Sequence, residues 1–213
     1  MRIDFVSDIN CPWCALGVAE LRKALTLLND DIAVDLHFQP FELNPQLPEV
    51  GKNLVGYLQE KYGMSVVQID AIHNTLKERG ADVGFTFGKR ETLWNTVKAH
   101  QLLYWAEIEL GVEAQAQLKF ALMQAYQGEG SNISDNVVLL DVVKSLGFSS
   151  ERASRILNTN EFLNAVRQRE QEWQGAGISA VPSIVINRKH LIQGAQSAST
   201  LVEMFRQLAA EAN

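Results

Sequence analysis

The chain is 213 residues long and 46% hydrophobic, enough to bury a good core as one domain or two small ones. With 19 basic against 25 acidic side chains its formal charge is −6, so no global attraction to nucleic acid or to an anionic membrane is expected. No stretch approaches the ~20 apolar residues of a membrane span, and the N-terminus lacks the regions of a signal peptide; the expected location is the cytoplasm, where a disulfide is transient and catalytic rather than structural.

Arg2 to Ser7 reads as a short strand, and Asp8-Ile9-Asn10 as the turn after it. Asp8 is expected to bond nearby backbone, as turn carboxylates do. The following helix carries Cys14, Val18, Leu21, Leu25 and Leu28 at spacings of four and three and ends at Asn29-Asp30-Asp31. Ile32, Val34, Leu36 and Phe38 then alternate with polar or small residues, a second strand with His37 on its surface. Strand, helix and strand with a crossover make a βαβ unit, so the two strands are expected to be parallel.

Gln39 to Pro48 holds three of the five prolines and is expected to break regular structure. From there to about residue 160 the pattern is almost wholly helical. One helix runs from Leu54 to Tyr62. A second, with Ser65 and Gln68 as a capping box, stops at Gly80. Phe85 and Phe87 lie in a short extended piece. A longer helix is predicted from about Thr92 to Leu110, and another bears Leu118, Leu122, Ala125 and Tyr126. Ser134 is read as the cap of a helix to Leu146, and Ser150 as the cap of one through Leu157. The remainder is mixed: a helix from about Asn160 to Gln174, a strand from Ser183 to Asn187, a turn at Asn187-Arg188 into His190-Leu191-Ile192, and a final helix with Leu201, Phe205 and Leu208 on one face.

Cys11-Pro12-Trp13-Cys14 holds the only two cysteines. With Pro12 as first helical residue, where its missing N–H costs nothing, Cys11 becomes the N-cap and faces the free amides of Trp13 and Cys14. Those donors and the helix dipole favour a thiolate, and a cysteine so placed drops from ~8.5 into the range ~3.5–7.5. Cys14, inside the first turn, is expected to be more buried and less acidic. Cys11 is then the attacking sulfur and Cys14 the resolving one. Zinc needs four ligands, and His37, His73, His100 and His190 form no second closely spaced pair, so no metal is expected. Inert structural thiols are not usual at a helix start beside proline.

The CPWC motif at a strand-to-helix turn, Val181-Pro182 before a strand, and the order βαβ…αββα together resemble the thioredoxin fold. With a helical insertion after the second strand, the chain is similar to the DsbA family. The closest likeness is to its FrnE-like cytoplasmic branch, through Asp8-Ile9-Asn10-Cys11-Pro12-Trp13-Cys14, Phe41-Glu42-Leu43-Asn44-Pro45, Asn95-Thr96 with Ala99-His100, Val181-Pro182-Ser183 and Gly194-Ala195-Gln196. The resemblance implies an α/β thioredoxin-fold lobe from residues 1–50 and 160–213, with an all-helical insertion domain over 51–159. It also implies a thiol–disulfide oxidoreductase acting on protein or small-molecule thiols, with no organic cofactor, and with glutathione as a conceivable co-substrate. Cys11 corresponds to the nucleophile, Cys14 to the resolving thiol, and Pro182 to a cis-proline facing them that leaves the Val181 backbone free to pair with a substrate. The same likeness puts the helix bearing Asn95 and His100 over the active site, although by chemistry alone His100 reads as a surface or satisfied helix histidine. Trp13 departs from better-known relatives, because tryptophan brings no charge to the thiolate.

Two other readings stand beside this one. Glutathione-dependent hydroxychromene-carboxylate isomerases and kappa-class transferases share the architecture but carry a serine where this chain has Cys11; the second thiol favours disulfide chemistry. A binding or chaperone module would present Trp94, Trp105, Phe85 and Phe87 as an apolar patch, whereas aromatics in amphipathic helices are usually core. The physiological substrate, the direction of electron flow and the oligomeric state are not encoded in any motif.

Overall fold

The structure, a computed structural model, describes residues 1–29 and 31–211. The chain opens with β1 (Arg2–Ser7), α1 (Pro12–Leu28) and β2 (Asp35–Pro40). It closes with α8 (Leu163–Gly175), β5 (Ser183–Ile186), β6 (His190–Gln193) and α9 (Ala198–Glu211). These strands form one sheet in the order β2-β1-β5-β6, with β1 parallel to β2 and antiparallel to β5. The mixed sheet and the helices on both its faces are a thioredoxin-like fold.

As an inner strand, β1 is buried on both faces. Ile3 and Phe5 pack with Val18, Leu21, Leu201 and Phe205 of α1 and α9, while Val6 on the other face meets Phe41, Ile178 and Trp173. Asp4 can sit fully buried there because Arg2 (2.7 Å) and Gln39 (2.7 Å) both donate to its carboxylate.

Between β2 and α8 runs the helical insertion. A two-residue ribbon pairs β3 (Lys52–Asn53) with β4 (Thr92–Leu93), and α2 (Leu54–Tyr62) and α3 (Val66–Asp82) lie between them. Then come α4 (Val97–Trp105), α5 (Val112–Met123), α6 (Asn136–Ser145) and α7 (Ser150–Thr159). Both α4 and α5 widen into π-helical turns, over Ala106–Leu110 and Gln124–Gly128. Trp105, Leu118, Leu122, Tyr126, Leu139 and Ile156 form the centre of this layer's core, and Phe85 and Phe87 are buried in it with ring centroids 4.7 Å apart. Trp94 packs against the same core, so these aromatics form no exposed patch.

Several boundaries differ from the sequence reading, each for a local reason. β2 begins at Asp35 and runs through Pro40, because Pro40 lies opposite Ser7 at the strand's end, where a missing N–H is tolerated. His37 is half-buried, not a surface residue: it sits between Asp35 (2.9 Å) and Glu107 (2.8 Å). The helix α3 passes through Gly80, whose absent side chain admits the Phe85 carbonyl. Thr92 belongs to the ribbon, and α4 starts at Val97, whose N–H is taken by the Asn95 side chain (3.0 Å). Asp135 caps α6, leaving the Ser134 hydroxyl to the Glu49 carbonyl, and Ser149 rather than Ser150 caps α7. α8 begins at Leu163, since Asn160 adopts the left-handed conformation that ends α7. The end of α1 is set by left-handed Asn29; Asp30, expected beside it, lies outside the described residues.

Candidate active site

β1 stops at Ser7, and three residues carry the chain to Cys11, whose extended backbone (φ −83°, ψ 114°) makes it the N-cap of α1 with Pro12 at the first helical position. This turn is held from several directions. The Cys11 N–H donates to the Asp8 carbonyl (3.2 Å). The Asp8 carboxylate accepts from the N–H groups of Asn10 (3.1 Å) and Leu43 (2.8 Å). The Asn10 amide donates to the Trp94 carbonyl (2.7 Å), and Gln127 donates to the Ile9 carbonyl (2.7 Å). Asp8 does the turn work expected of it, and the insertion clasps the same turn.

The two thiols have opposite chemistry. Both are free, with Cys11 5% exposed and Cys14 wholly enclosed. The Cys14 thiol hydrogen-bonds the Cys11 sulfur, and together with the N–H groups of Cys14 and Trp13 it holds Cys11 below the ordinary thiol value against the cost of burial. Burial pushes Cys14 well up, and the neighbouring Cys11 sulfur adds to this. Cys11 also faces the Val181 carbonyl, 3.7 Å from its sulfur. The Val181–Pro182 peptide is cis, and Pro182 packs over Gly17 of α1, where an added Cβ would stand 3.4 Å from the proline ring. Cys11, Pro12, Trp13, Cys14, Val181 and Pro182, expected together, are together.

Asn95 and His100 lie elsewhere. Asn95 is engaged in structure, donating to the Leu47 carbonyl (2.7 Å) and accepting from Val97. His100 is neither on the surface nor in the cleft: it is buried behind the active-site turn, its Nε2 3.6 Å from the Asp8 carboxylate. Burial pushes Asp8 up, but His100 and the two N–H donors outweigh it and hold Asp8 low. Beside His100 is Lys119, which the sequence reading missed; its signal was a lysine on the helix face that carries Leu118 and Leu122, one turn after Gln115. It is enclosed, lowered to about 8 by burial, and partly supported by negative charge at Cys14, Asp8 and Cys11. Among the described residues no three His, Cys, Asp or Glu side chains cluster as metal ligands.

A cavity of about 460 Å³ opens beside Cys11 and Trp13, between α2 and α3. It too was missed, because its walls come together only in the folded chain.

Comparison with known proteins agrees with this geometry. A probable DsbA oxidoreductase from Streptomyces coelicolor superposes with a TM-score of 0.90 at 28% identity, over 99% of this chain and 91% of that one. A hydroxychromene-carboxylate isomerase superposes at 0.75 with 16% identity, over 100% and 98% of the two chains. The cytosolic disulfide reductase DsbM from Pseudomonas aeruginosa, solved with glutathione, superposes at 0.65 with 16% identity, again over 100% and 98%. At these lower identities the likeness is one of fold. Curated protein sequences give no match. The family model of the DSBA-like thioredoxin domain matches residues 2–206, so the chain, with its thiol pair at the head of α1, belongs to that family.

Proposed function

We propose that the chain is a thiol–disulfide oxidoreductase working through Cys11 and Cys14. The observation that carries this reading is the opposite displacement of two adjacent thiols: Cys11 is made acidic at the helix start while Cys14 is kept protonated beneath it. In the reducing direction the Cys11 thiolate attacks one sulfur of a substrate disulfide, the substrate S–S bond breaks, and one substrate thiolate leaves. Cys14 loses its proton and attacks Cys11, releasing the second thiolate and leaving a Cys11–Cys14 disulfide. Two electrons pass from the protein to the substrate. The reverse sequence oxidises a dithiol.

The Val181 carbonyl beside Cys11 supports a role for that backbone in aligning the incoming substrate. DsbM, solved with glutathione, is the ground for naming glutathione as a candidate co-substrate. No helix of the described residues is long and apolar enough to cross a membrane; the fold likeness to the cytosolic DsbM is the ground for proposing a reducing compartment.

The test is an equilibrium titration against glutathione redox buffers, with free thiols alkylated and counted by mass. A cooperative two-thiol transition is expected; thiols that never pair at any ratio overturn the reading. Cys11→Ser should lose all exchange, and Cys14→Ser should accumulate mixed disulfides. Isomerase turnover that survives loss of both thiols would favour the glutathione-dependent alternative.

A further inference from the structure

The cavity beside Cys11 has the size of a small-molecule site, since such sites run from ~300 to ~1,000 Å³. Its inner wall is apolar, built by Leu54 and Leu58 of α2, Ile69 and Ile72 of α3, and Leu93 of β4. Cys11, Trp13 and Val181 form the side nearest the chemistry. A peptide strand pairing with the Val181 backbone would lie along that side; it would not fill a recess walled by two helices and a ribbon. The recess is shaped for one compact apolar body.

Its charged groups narrow the occupant further. Lys89, Arg90, His73 and Asp70 all reach the cavity. Lys89 is already paired with Glu91 (2.6 Å). Arg90 joins none of the ion pairs among the described residues, and its guanidinium rests 5.6 Å above the Tyr126 ring. A half-buried guanidinium that touches the ring and hydroxyl of Tyr126 and has no carboxylate partner among the described residues, at the edge of an apolar recess, suits a carboxylate. Asp70 on the same cavity disfavours a second negative charge, so one carboxylate per bound half is the complementary number.

We infer that this cavity binds the apolar, singly carboxylated half of a low-molecular-weight disulfide, with its carboxylate on Arg90 and its sulfur at Cys11. The inference rests on the exchange chemistry proposed above. Cys11 attacks the sulfur held at the mouth, the ligand S–S bond breaks, and the unbound half leaves as a thiolate. Cys14 then displaces the bound half as the second thiolate, and the protein is left oxidised by two electrons.

The test uses the full-length reduced protein and stopped-flow rates with three disulfides: dithiobis(nitrobenzoate), which is aromatic and carboxylated, dithiodipyridine, which is aromatic and neutral, and hydroxyethyl disulfide, which is neither. In Arg90→Gln the carboxylated-to-neutral aromatic rate ratio should fall about tenfold, the scale of one charge-assisted hydrogen bond. In Ile72→Trp, which fills the recess, both aromatic probes should slow relative to hydroxyethyl disulfide. Should Ile72→Trp not fold, saturable quenching of tryptophan fluorescence by nitrobenzoate, weakened in Arg90→Gln, carries the same information. Unchanged ratios in Arg90→Gln overturn the inference, as does a disulfide-bonded unfolded peptide losing rate in parallel with dithiobis(nitrobenzoate). A wild-type protein that exchanges with none of the probes overturns the oxidoreductase reading itself, and with it the inference; that failure is visible before any variant is made.

Discussion

Cys11 and Cys14 sit one helical turn apart, yet their surroundings drive them in opposite directions. Hydrogen bonds prevail at Cys11 and burial at Cys14. Trp13, between them, adds bulk without charge. The cation of this site approaches from beneath instead: Lys119 faces Cys14, Asp8 and Cys11, and shares a small cavity with His100 and Glu107. Unfolded, Lys119 titrates near 10.5; folded, at about 8. Between those values the unfolded chain holds the extra proton, so this group's penalty is full below 8 and is relieved as the pH climbs toward 10.5. Lys119→Met is therefore expected to raise unfolding free energy near neutrality by up to ~3 kcal/mol, a gain that shrinks in alkali and is read by urea unfolding at both pH values. The same change removes the positive neighbour that favours the Cys14 thiolate. Resolution should slow about tenfold, seen as longer-lived mixed disulfide by mass spectrometry.

Among the elements, Gly63, Gly111 and Gly147 adopt positive φ just past the ends of α2, the π-helical turn after α4, and α6, whereas Gly80, expected to stop α3, lies inside it. Gly80 meets a packing need: a Cβ there would stand 2.4 Å from the Phe85 carbonyl oxygen. Helix propensity alone favours alanine by ~1 kcal/mol, but overpacking costs ~1–3 kcal/mol, so Gly80→Ala should lower the urea midpoint rather than raise it. Caps were misread by one residue at Ser134 and Ser150 because two capping side chains stand side by side at each start. The π-helical turn at Gln124–Gly128 left no mark in the pattern, yet it carries Gln127, which donates to the Ile9 carbonyl. Gln127→Leu should cost ~1–3 kcal/mol through the stranded acceptor, measured by the same unfolding curve.

For the molecule as a whole, the pairings of β1 with β2 and of β5 with β6 were readable because the βαβ unit and the hairpin are short-range patterns at the two chain ends, whereas the place of β5 beside β1 was not. The thiol pair was readable because a helix start, a proline and two cysteines are contiguous. What was not readable lies far apart in sequence: the bonds that grip the active-site turn from Leu43, Trp94 and Gln127 span 35, 84 and 118 residues. The cavity and buried Lys119 depend on that same docking. Cys11 and Cys14 consequently share one apolar cluster with residues of α3 to α7. That shared cluster makes Cys14 a built-in gauge of local opening. In Cys11→Ser, alkylation of Cys14 in sub-denaturing urea should proceed only as fast as the helical layer parts from the sheet, and Gln127→Leu should quicken it in proportion to the stability lost. The thiol that completes the chemistry would then also time how often the fold comes apart.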